Sequence, residues 1–403
     1  MAYISDPVAV FAVLLSVLAG LFFLESTAWG KRFFARVPLL LFAYFVPTVL
    51  SNCGLIPSEG DFPLFNFIKQ WLLPASLILL VLAVDIKAIV RLGRPVIVLF
   101  LAGTASIALG GPIAYLLCSP LIPAEWGEQA WKGLAALAGS WIGGGANFVA
   151  VGESVGVDDA ILPLMVVIDV AVANIWMAFL LLFAGREKGM DASLGANRET
   201  LEVVRESAEK FAKQSRRTPG LSDLFLMLAL GFGGTATAWS LAPFLPEIGD
   251  IVGIFTWVIL LVTVFSIGLS FTPIRNLEGA GASTLGSVFL YLLVTSIGAK
   301  ADFRQILDPG NMGFLAVGAV WMSIHAGTLL FVRRWIRAPV FFLAVGSQAN
   351  VGGAASAPVV AAAFHPALAP VGVLLAIGGY VLGTLAGIGC AALLQMAHHS
   401  IWS

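Results

Sequence analysis

Twelve stretches of about twenty mostly apolar residues succeed one another along the chain, at 7–25, 34–51, 67–86, 95–118, 132–155, 160–185, 221–243, 250–272, 281–299, 311–332, 339–363 and 368–396. About 20 such residues carry a helix across the hydrocarbon core. Lipid offers the backbone no hydrogen bonds, so every peptide group must be satisfied within its own helix. The pattern predicts an all-α membrane protein. Composition agrees: 59% of residues are hydrophobic and 11% charged, against about 45–50% and 25% in soluble domains. A formal net charge of −1 gives no basic field for nucleic acid. The expected partners are the lipid bilayer and a small-molecule solute.

Charge placement sets the topology. Basic residues cluster after the first run (Lys31, Arg32, Arg36), after the third (Lys87, Arg91, Arg94), after the tenth (Arg333, Arg334, Arg337) and in a polar stretch, 186–219, while 52–64 and 244–249 hold no Lys or Arg. If all twelve runs crossed, the polar stretch would lie opposite the first two clusters, against the positive-inside rule. The conflict disappears if 132–155 enters and leaves from the outer face and 339–363 does the same from the inner face. The expectation is therefore about ten spanning helices plus two re-entrant hairpins, with both termini outside and Lys300 and Arg304 as outer exceptions. Residues 1–185 and 220–403 then form two inverted repeats, joined by a cytosolic amphipathic connector, 186–219. In the connector Leu201, Val204, Ala208 and Phe211 recur at helical spacing, beside the pairs Glu206–Lys210 and Glu209–Lys213. Five spanning segments per half invert the second half relative to the first. No basic residue precedes the first run, so it reads as an uncleaved helix. Cys53, Cys118 and Cys390 have no metal-like spacing and read as packed thiols, although Cys53 and Cys118 fall on one side and a bond between them is open.

The two hairpin segments carry the least ordinary sequence. The first reads Gly139-Ser140-Trp141-Ile142-Gly143-Gly144-Gly145-Ala146-Asn147, the second Gly346-Ser347-Gln348-Ala349-Asn350-Val351-Gly352-Gly353-Ala354-Ala355-Ser356. With a two-residue gap, Gly-Ser matches Gly-Ser and Ile-Gly-Gly-Gly-Ala-Asn matches Val-Gly-Gly-Ala-Ala-Ser. Glycine runs allow unwound backbone, which survives at membrane depth only inside protein or beside water. Broken helices there turn N-termini toward anions and free carbonyls toward cations. Ser140, Asn147, Ser347, Asn350 and Ser356 add neutral oxygens, suited to a hard cation such as sodium. The competing reading is close helix packing by small residues. Asp169, mid-run with Asn174 a turn and a half on, is a costly acid at that depth and an expected ion site. Sodium is expected near Asn147, Asp169 and Asn350. His325 reads equally as proton relay or helix-bonded histidine. Lys69 and Asp85 read as snorkelling, and Trp126, Trp131 and Trp335 as interfacial.

With these Gly-Ser and Gly-Gly-Ala-Asn stretches the chain resembles the domain-of-unknown-function 819 family of bacterial inner-membrane proteins. More remotely, the twin glycine-rich hairpins resemble the sodium:glutamate and sodium:citrate symporters. That likeness implies paired re-entrant hairpins, an elevator motion, and hairpin-tip positions at Gly143, Gly144, Asn147, Gly352, Gly353 and Ser356; the glutamate symporters' Gly-Gly-His-Gly pattern is absent. The reading is an ion-coupled secondary active transporter of a small carboxylate-bearing solute such as an amino acid or short peptide, multi-pass in a bacterial inner membrane. Sodium is the expected coupling ion, no cofactor is expected, and a homodimer is. The alternatives are a proton-coupled transporter or a passive channel. An intramembrane enzyme is not expected, since an aspartyl protease needs two embedded acids and only Asp169 is central.

Overall fold

A computed structural model of the chain describes residues 2–34, 39–58, 62–196, 201, 204, 217–249, 251–301 and 309–402. Among them every long element is helical. Eight helices are long and apolar enough to cross a membrane, or ten if each of two bent pairs is one span. In chain order the helices are α1 Pro7–Ser26, α2 Ala28–Phe34, α3 Leu39–Asn52, α4 Pro63–Leu82, α5 Ile86–Arg91, α6 Arg94–Cys118, α7 Gln129–Gly143 and α8 Gly145–Ser154. There follow α9 Leu162–Leu194, α10 Leu221–Leu241, α11 Ile254–Ser270, α12 Ala282–Ala299, α13 Met312–Ile336, α14 Val340–Val351, α15 Gly353–Phe364 and α16 Ala369–Trp402. Each apolar run finds its helix.

Local chemistry fixes the ends. Asp6 caps α1 by accepting from the Ala9 N–H at 2.9 Å, with Pro7 at the first helical position. Asp85 caps α5 in the same way through Ala88. Inside the helices hydroxyls donate back to carbonyls one turn earlier, as from Thr263 to Ile259 and Thr235 to Gly231, which satisfies these hydroxyls within their own helix.

The two glycine-rich segments are hairpins. In the first, a Cβ added to Gly152 of α8 would stand 3.1 Å from the Ala136 Cβ of α7, so residues equidistant from Gly144 face each other. In the second, Gln348 donates to Ser356 at 2.6 Å and Phe341 packs on Phe364 with ring centroids 5.5 Å apart. The first pair centres on Gly352 and the second between Gly352 and Gly353. Each segment turns back and ends where it began.

Helix packing sorts the elements into two bundles. The first holds α1, α3, α4, α10, α11 and α12; the second holds α6, α13, α9, α16 and the two hairpins. Packing within each bundle is extensive, and between them narrower, through α3 with α9, α4 and α11 with α8, and α4 and α11 with α16. The chain thus runs first bundle, second bundle, first, second. Buried carbonyl contacts lock the first bundle: Thr48 of α3 donates to the Gly298 carbonyl of α12 at 2.8 Å, and Ser266 of α11 to the Ile78 carbonyl of α4 at 2.6 Å.

Polar pairs divide the helix ends into two sets. At one end Tyr3 meets Gly54, Trp126 meets Asn311 at 2.7 Å, Tyr115 meets His398 at 2.8 Å, Lys69 pairs with Glu153, and Lys300 pairs with Asp159 at 2.7 Å. At the other end Asp85 pairs with Arg275, Arg217 donates from its backbone to Gly279, and Arg333 pairs with Asp191 at 3.0 Å. The first hairpin opens toward the first end and the second toward the other. Lys69, Lys132 and Lys300 at the first end all have acidic partners within ion-pair distance. That accounts for Lys300, whose charge is neutralised by Asp159; Arg304 lies outside the described residues.

Some expectations need correction. The helix α9 continues unbroken past 186, into the segment read as the connector, as far as Leu194, and is closed by Gly195 in the left-handed region. Leu201 and Val204 are buried, while Ala208, Phe211 and the two charge pairs of the connector lie outside the described residues. Lys69 and Asp85 do not snorkel free: each has an ion partner. Trp131 is buried rather than interfacial, at 2% exposure, whereas Trp335 is exposed. All three cysteines are free thiols.

Candidate functional site

The hairpins meet tip to tip. Gly144 and Gly353, paired in the sequence match, both have positive φ, +77° and +57°. A Cβ on Gly353 would lie 3.7 Å from the Gly144 Cα, and one on Gly144 would lie 4.0 Å from the Gly353 Cα. Space is adequate at both; it is the left-handed backbone that excludes larger residues. The first turns of α8 and α15 therefore start, and the last turns of α7 and α14 end, around one spot in the second bundle.

The other motif glycines have a different role. Gly139 and Gly143 of α7 lie against Gly379, Gly383 and Gly387 of α16, so that a Cβ on Gly383 would be 2.6 Å from the Gly143 Cα and one on Gly387 3.4 Å from the Gly139 Cα. This is the small-residue crossing that lets membrane helices approach backbone to backbone. Packing and broken backbone are thus both present, at different glycines of one motif. Gly352 is covered by the Gln348–Ser356 hydrogen bond.

Asn147 and Asn350 tie the hairpins to their neighbours by one shared pattern. Asn147 donates to the carbonyl of Gly143 at 3.0 Å and of Tyr380 at 3.2 Å, and accepts from Thr384 at 2.6 Å. Asn350 donates to Gly346 at 3.1 Å and Phe100 at 3.0 Å, and accepts from Thr104 at 2.9 Å. In both cases the threonine sits one turn beyond the accepting carbonyl, on α16 or α6. Both asparagines are fully buried. Interhelical bonds of this kind contribute about 1 kcal/mol each in membranes, so the amides act first as anchors. Of the three residues near which sodium is expected, Asn147, Asp169 and Asn350, the two amides are thus engaged in interhelical bonds.

Asp169 of α9 is held elsewhere, accepting from Ser140 Oγ at 2.6 Å and Trp141 Nε1 at 2.7 Å. Both donors come from the first hairpin, so the carboxylate clamps α7 to α9. It is half-buried and lines a cavity of about 30 Å³ with Ser140, Gly145 and Phe148 of that hairpin, facing Leu40 and Tyr44 of α3 and Val294 and Ile297 of α12. That volume suits one water-sized species. The cavity lies between the two bundles. Asn174 turns back to its own helix, donating to the Val170 carbonyl at 2.7 Å.

Ser347 joins a second buried network. Trp176 of α9 donates to its hydroxyl at 2.7 Å, and the hydroxyl contacts His325 Nε2 at 2.7 Å. His325 Nδ1 contacts Ser106 Oγ at 2.7 Å, and that hydroxyl is also placed to donate to the Gly103 carbonyl at 2.7 Å. One consistent set of protons has Ser106 donating to Gly103, His325 Nδ1–H to Ser106, and Ser347 to Nε2, with a neutral ring. His325 bridges α6, α13 and the second hairpin. No sequence signal marked Thr104, Thr384, Ser106 or Trp176, because hydroxyls and tryptophans are common on buried helix faces.

Comparison with known proteins agrees with this picture. The chain is similar to the Uncharacterized membrane protein YjcL of Bacillus subtilis (strain 168), at 26% identity over 359 residues, covering 84% of this chain and 85% of that protein. The family described as Protein of unknown function (DUF819) matches residues 12–397, nearly the whole length, and the chain belongs to that family of multi-pass membrane proteins.

Proposed function

We propose that this protein is a secondary active transporter, not an enzyme, in which the second bundle carries a small solute past the first. The observation that carries the reading is the meeting of Gly144 and Gly353: two hairpins opening toward opposite ends, broken at matching glycines, tip to tip within one of two bundles. Discontinuous helices that meet at mid-depth from inverted halves are a recurring means of alternating access. The alternating order of the two bundles along the chain supports reading 1–185 and 220–403 as inverted repeats. The narrow contact between bundles supports an elevator-like displacement.

The helix N-termini of α8 and α15 favour an anionic group, so the proposed substrate bears a carboxylate, such as an amino acid or short peptide. Sodium is the proposed coupling ion, and a bacterial inner membrane the proposed location. The test is uptake into proteoliposomes. Accumulation of a carboxylate above its external concentration, driven by an imposed sodium or proton gradient, is expected. Equilibration without accumulation would replace the transporter by a passive channel.

A further inference from the structure

Four charges join the two bundles at one end. Lys69 of α4 pairs with Glu153, which lies at the open end of the first hairpin. Lys300, at the C-cap of α12, donates to both oxygens of Asp159, between α8 and α9, at 2.7 and 2.8 Å. In each pair the cation belongs to the first bundle and the acid to the second. Each pair also couples a buried charge to a wetter one. The side chains of Glu153 and Lys300 are 5% and 9% exposed, against 39% for Lys69 and 32% for Asp159. Glu153 feels the charges of Lys300 and Asp159 as well as that of Lys69, so the four act as one cluster. Beside them Thr256 of α11 donates to the Ser154 carbonyl of α8 at 3.1 Å.

The ion pairs of the opposite end do not cross in this way. Asp85–Arg275 links segments that follow α4 and α11, both of the first bundle, and Arg333–Asp191 links α13 to α9 within the second. Deeper between the bundles the contact is mostly apolar: Phe148 and Val149 of α8 and Val166 of α9 share a cavity wall with Leu40, Val294 and Ile297 of the first bundle. Apolar surfaces can slide without breaking a directional bond. An ion pair is lost once its helices shift by one turn, about 5.4 Å. We propose that Lys69–Glu153 and Lys300–Asp159 form a charge latch, which holds the second bundle against the first at this end and parts whenever the second bundle moves.

The latch rests on the proposed displacement of one bundle past the other, and it names the contacts that set the resting position. Separating the pairs in a closed interface strands Glu153 and Lys300 as buried charges without partners, which is costly. Once the rim opens far enough to admit water, both are hydrated and that cost falls. Intermediate positions are therefore the least favourable, and the interface has two states rather than a continuum.

Val149 supplies the experiment. It lies one turn deeper than Glu153 on α8 and is 1% exposed. Val149→Cys, in Cys53→Ser protein held in lipid nanodiscs, reports opening through its rate of reaction with an impermeant maleimide. The rate should be slow with the latch intact. It should rise roughly tenfold in Glu153→Gln with Asp159→Asn, because labelling of a buried thiol follows the population of the open state. Asp85→Asn is the control: it removes a pair within one bundle and should leave the rate unchanged. A lower melting temperature with unchanged labelling in the latch variant would mean a static ion pair and overturn the latch. Equal acceleration in Asp85→Asn would mean general loosening and overturn it as well. If the double variant does not fold, Glu153→Gln alone decides, with a rise of roughly threefold required, the scale of one part-exposed pair. Accelerated labelling without accumulation of any carboxylate in proteoliposomes would keep the latch and overturn the transport reading. Accumulation with unchanged labelling would do the reverse.

Discussion

Gly144 and Gly353 stand with their α-carbons in near contact, a Cβ on the second reaching within 3.7 Å of the first. Both have left-handed backbone, which costs a residue with a Cβ about 1–2 kcal/mol, more if β-branched. Gly144→Val and Gly353→Val should each lower the melting temperature modestly and abolish substrate binding. Gly145→Ala is the control: its φ is ordinary and its Cβ would meet only Leu40 at 3.7 Å. It should melt within about 1 kcal/mol of wild type. Retained binding in both valine variants would show that the tips serve packing alone.

Asp169 accepts from two donors of the first hairpin and faces the cavity between bundles. Asp169→Asn keeps the volume but places an amide N–H₂ where Ser140 or Trp141 now donates. Gradient-driven uptake should fall at least about 100-fold, roughly 2.7 kcal/mol, with the protein still folded and monodisperse. Uptake at the wild-type rate in this variant would remove Asp169 from the coupling.

Much of this was legible in the sequence because lipid makes the rules strict. A run of twenty apolar residues at membrane depth must be helical, and the basic clusters are reconciled when 132–155 and 339–363 turn back. The glycine match pairing Gly144 with Gly353 needed no structure. Interactions between distant segments were not legible. Neither Thr384 as partner to Asn147 nor Asp159 as partner to Lys300 is marked by spacing, since 237 and 141 residues separate them. The motif's polar residues stood out in the sequence, but not that Asn147 bonds to Tyr380 and Thr384 of a neighbouring helix.

Asp85 lies between α4 and α5, outside the spanning helices. Burial pushes its carboxyl pKa up, but the hydrogen bond and charge of Arg275, the Ala88 N–H and the charge of Arg91 outweigh burial and hold it below the ordinary value. A group with lowered pKa stabilises the fold above its unfolded pKa, about 3.9, and loses that contribution as pH falls through the lowered value. Melting temperature should therefore drop on acidification below about pH 4, and Asp85→Asn should lower it at neutral pH while flattening that acid limb. The neutral-pH loss should be about 1 kcal/mol, the scale of one cap and one part-exposed ion pair. An acid limb unchanged in Asp85→Asn would mean that other carboxylates set it.

The two ends of the molecule differ in charge, which predicts its orientation. At the end holding Lys69, Lys132 and Lys300, each cation has an acidic partner. The other holds Arg91, Arg94, Arg186, Arg333, Arg334 and Arg337, of which Arg334 and Arg337 are on the last turn and cap of α13. Positive-inside placement puts this second end in the cytosol. Ser193, two residues beyond Asp191 on the α9 extension, lies at that end, whereas Ser400, two residues beyond the His398 that contacts Tyr115, lies at the other. In a Cys53→Ser background, needed because Cys53 is exposed, an impermeant maleimide applied to intact spheroplasts should label Ser400→Cys. Ser193→Cys should react only after permeabilisation. Labelling of Ser193→Cys but not Ser400→Cys in intact cells would invert the orientation, and labelling of both would break the division of ends on which the opposed hairpins depend.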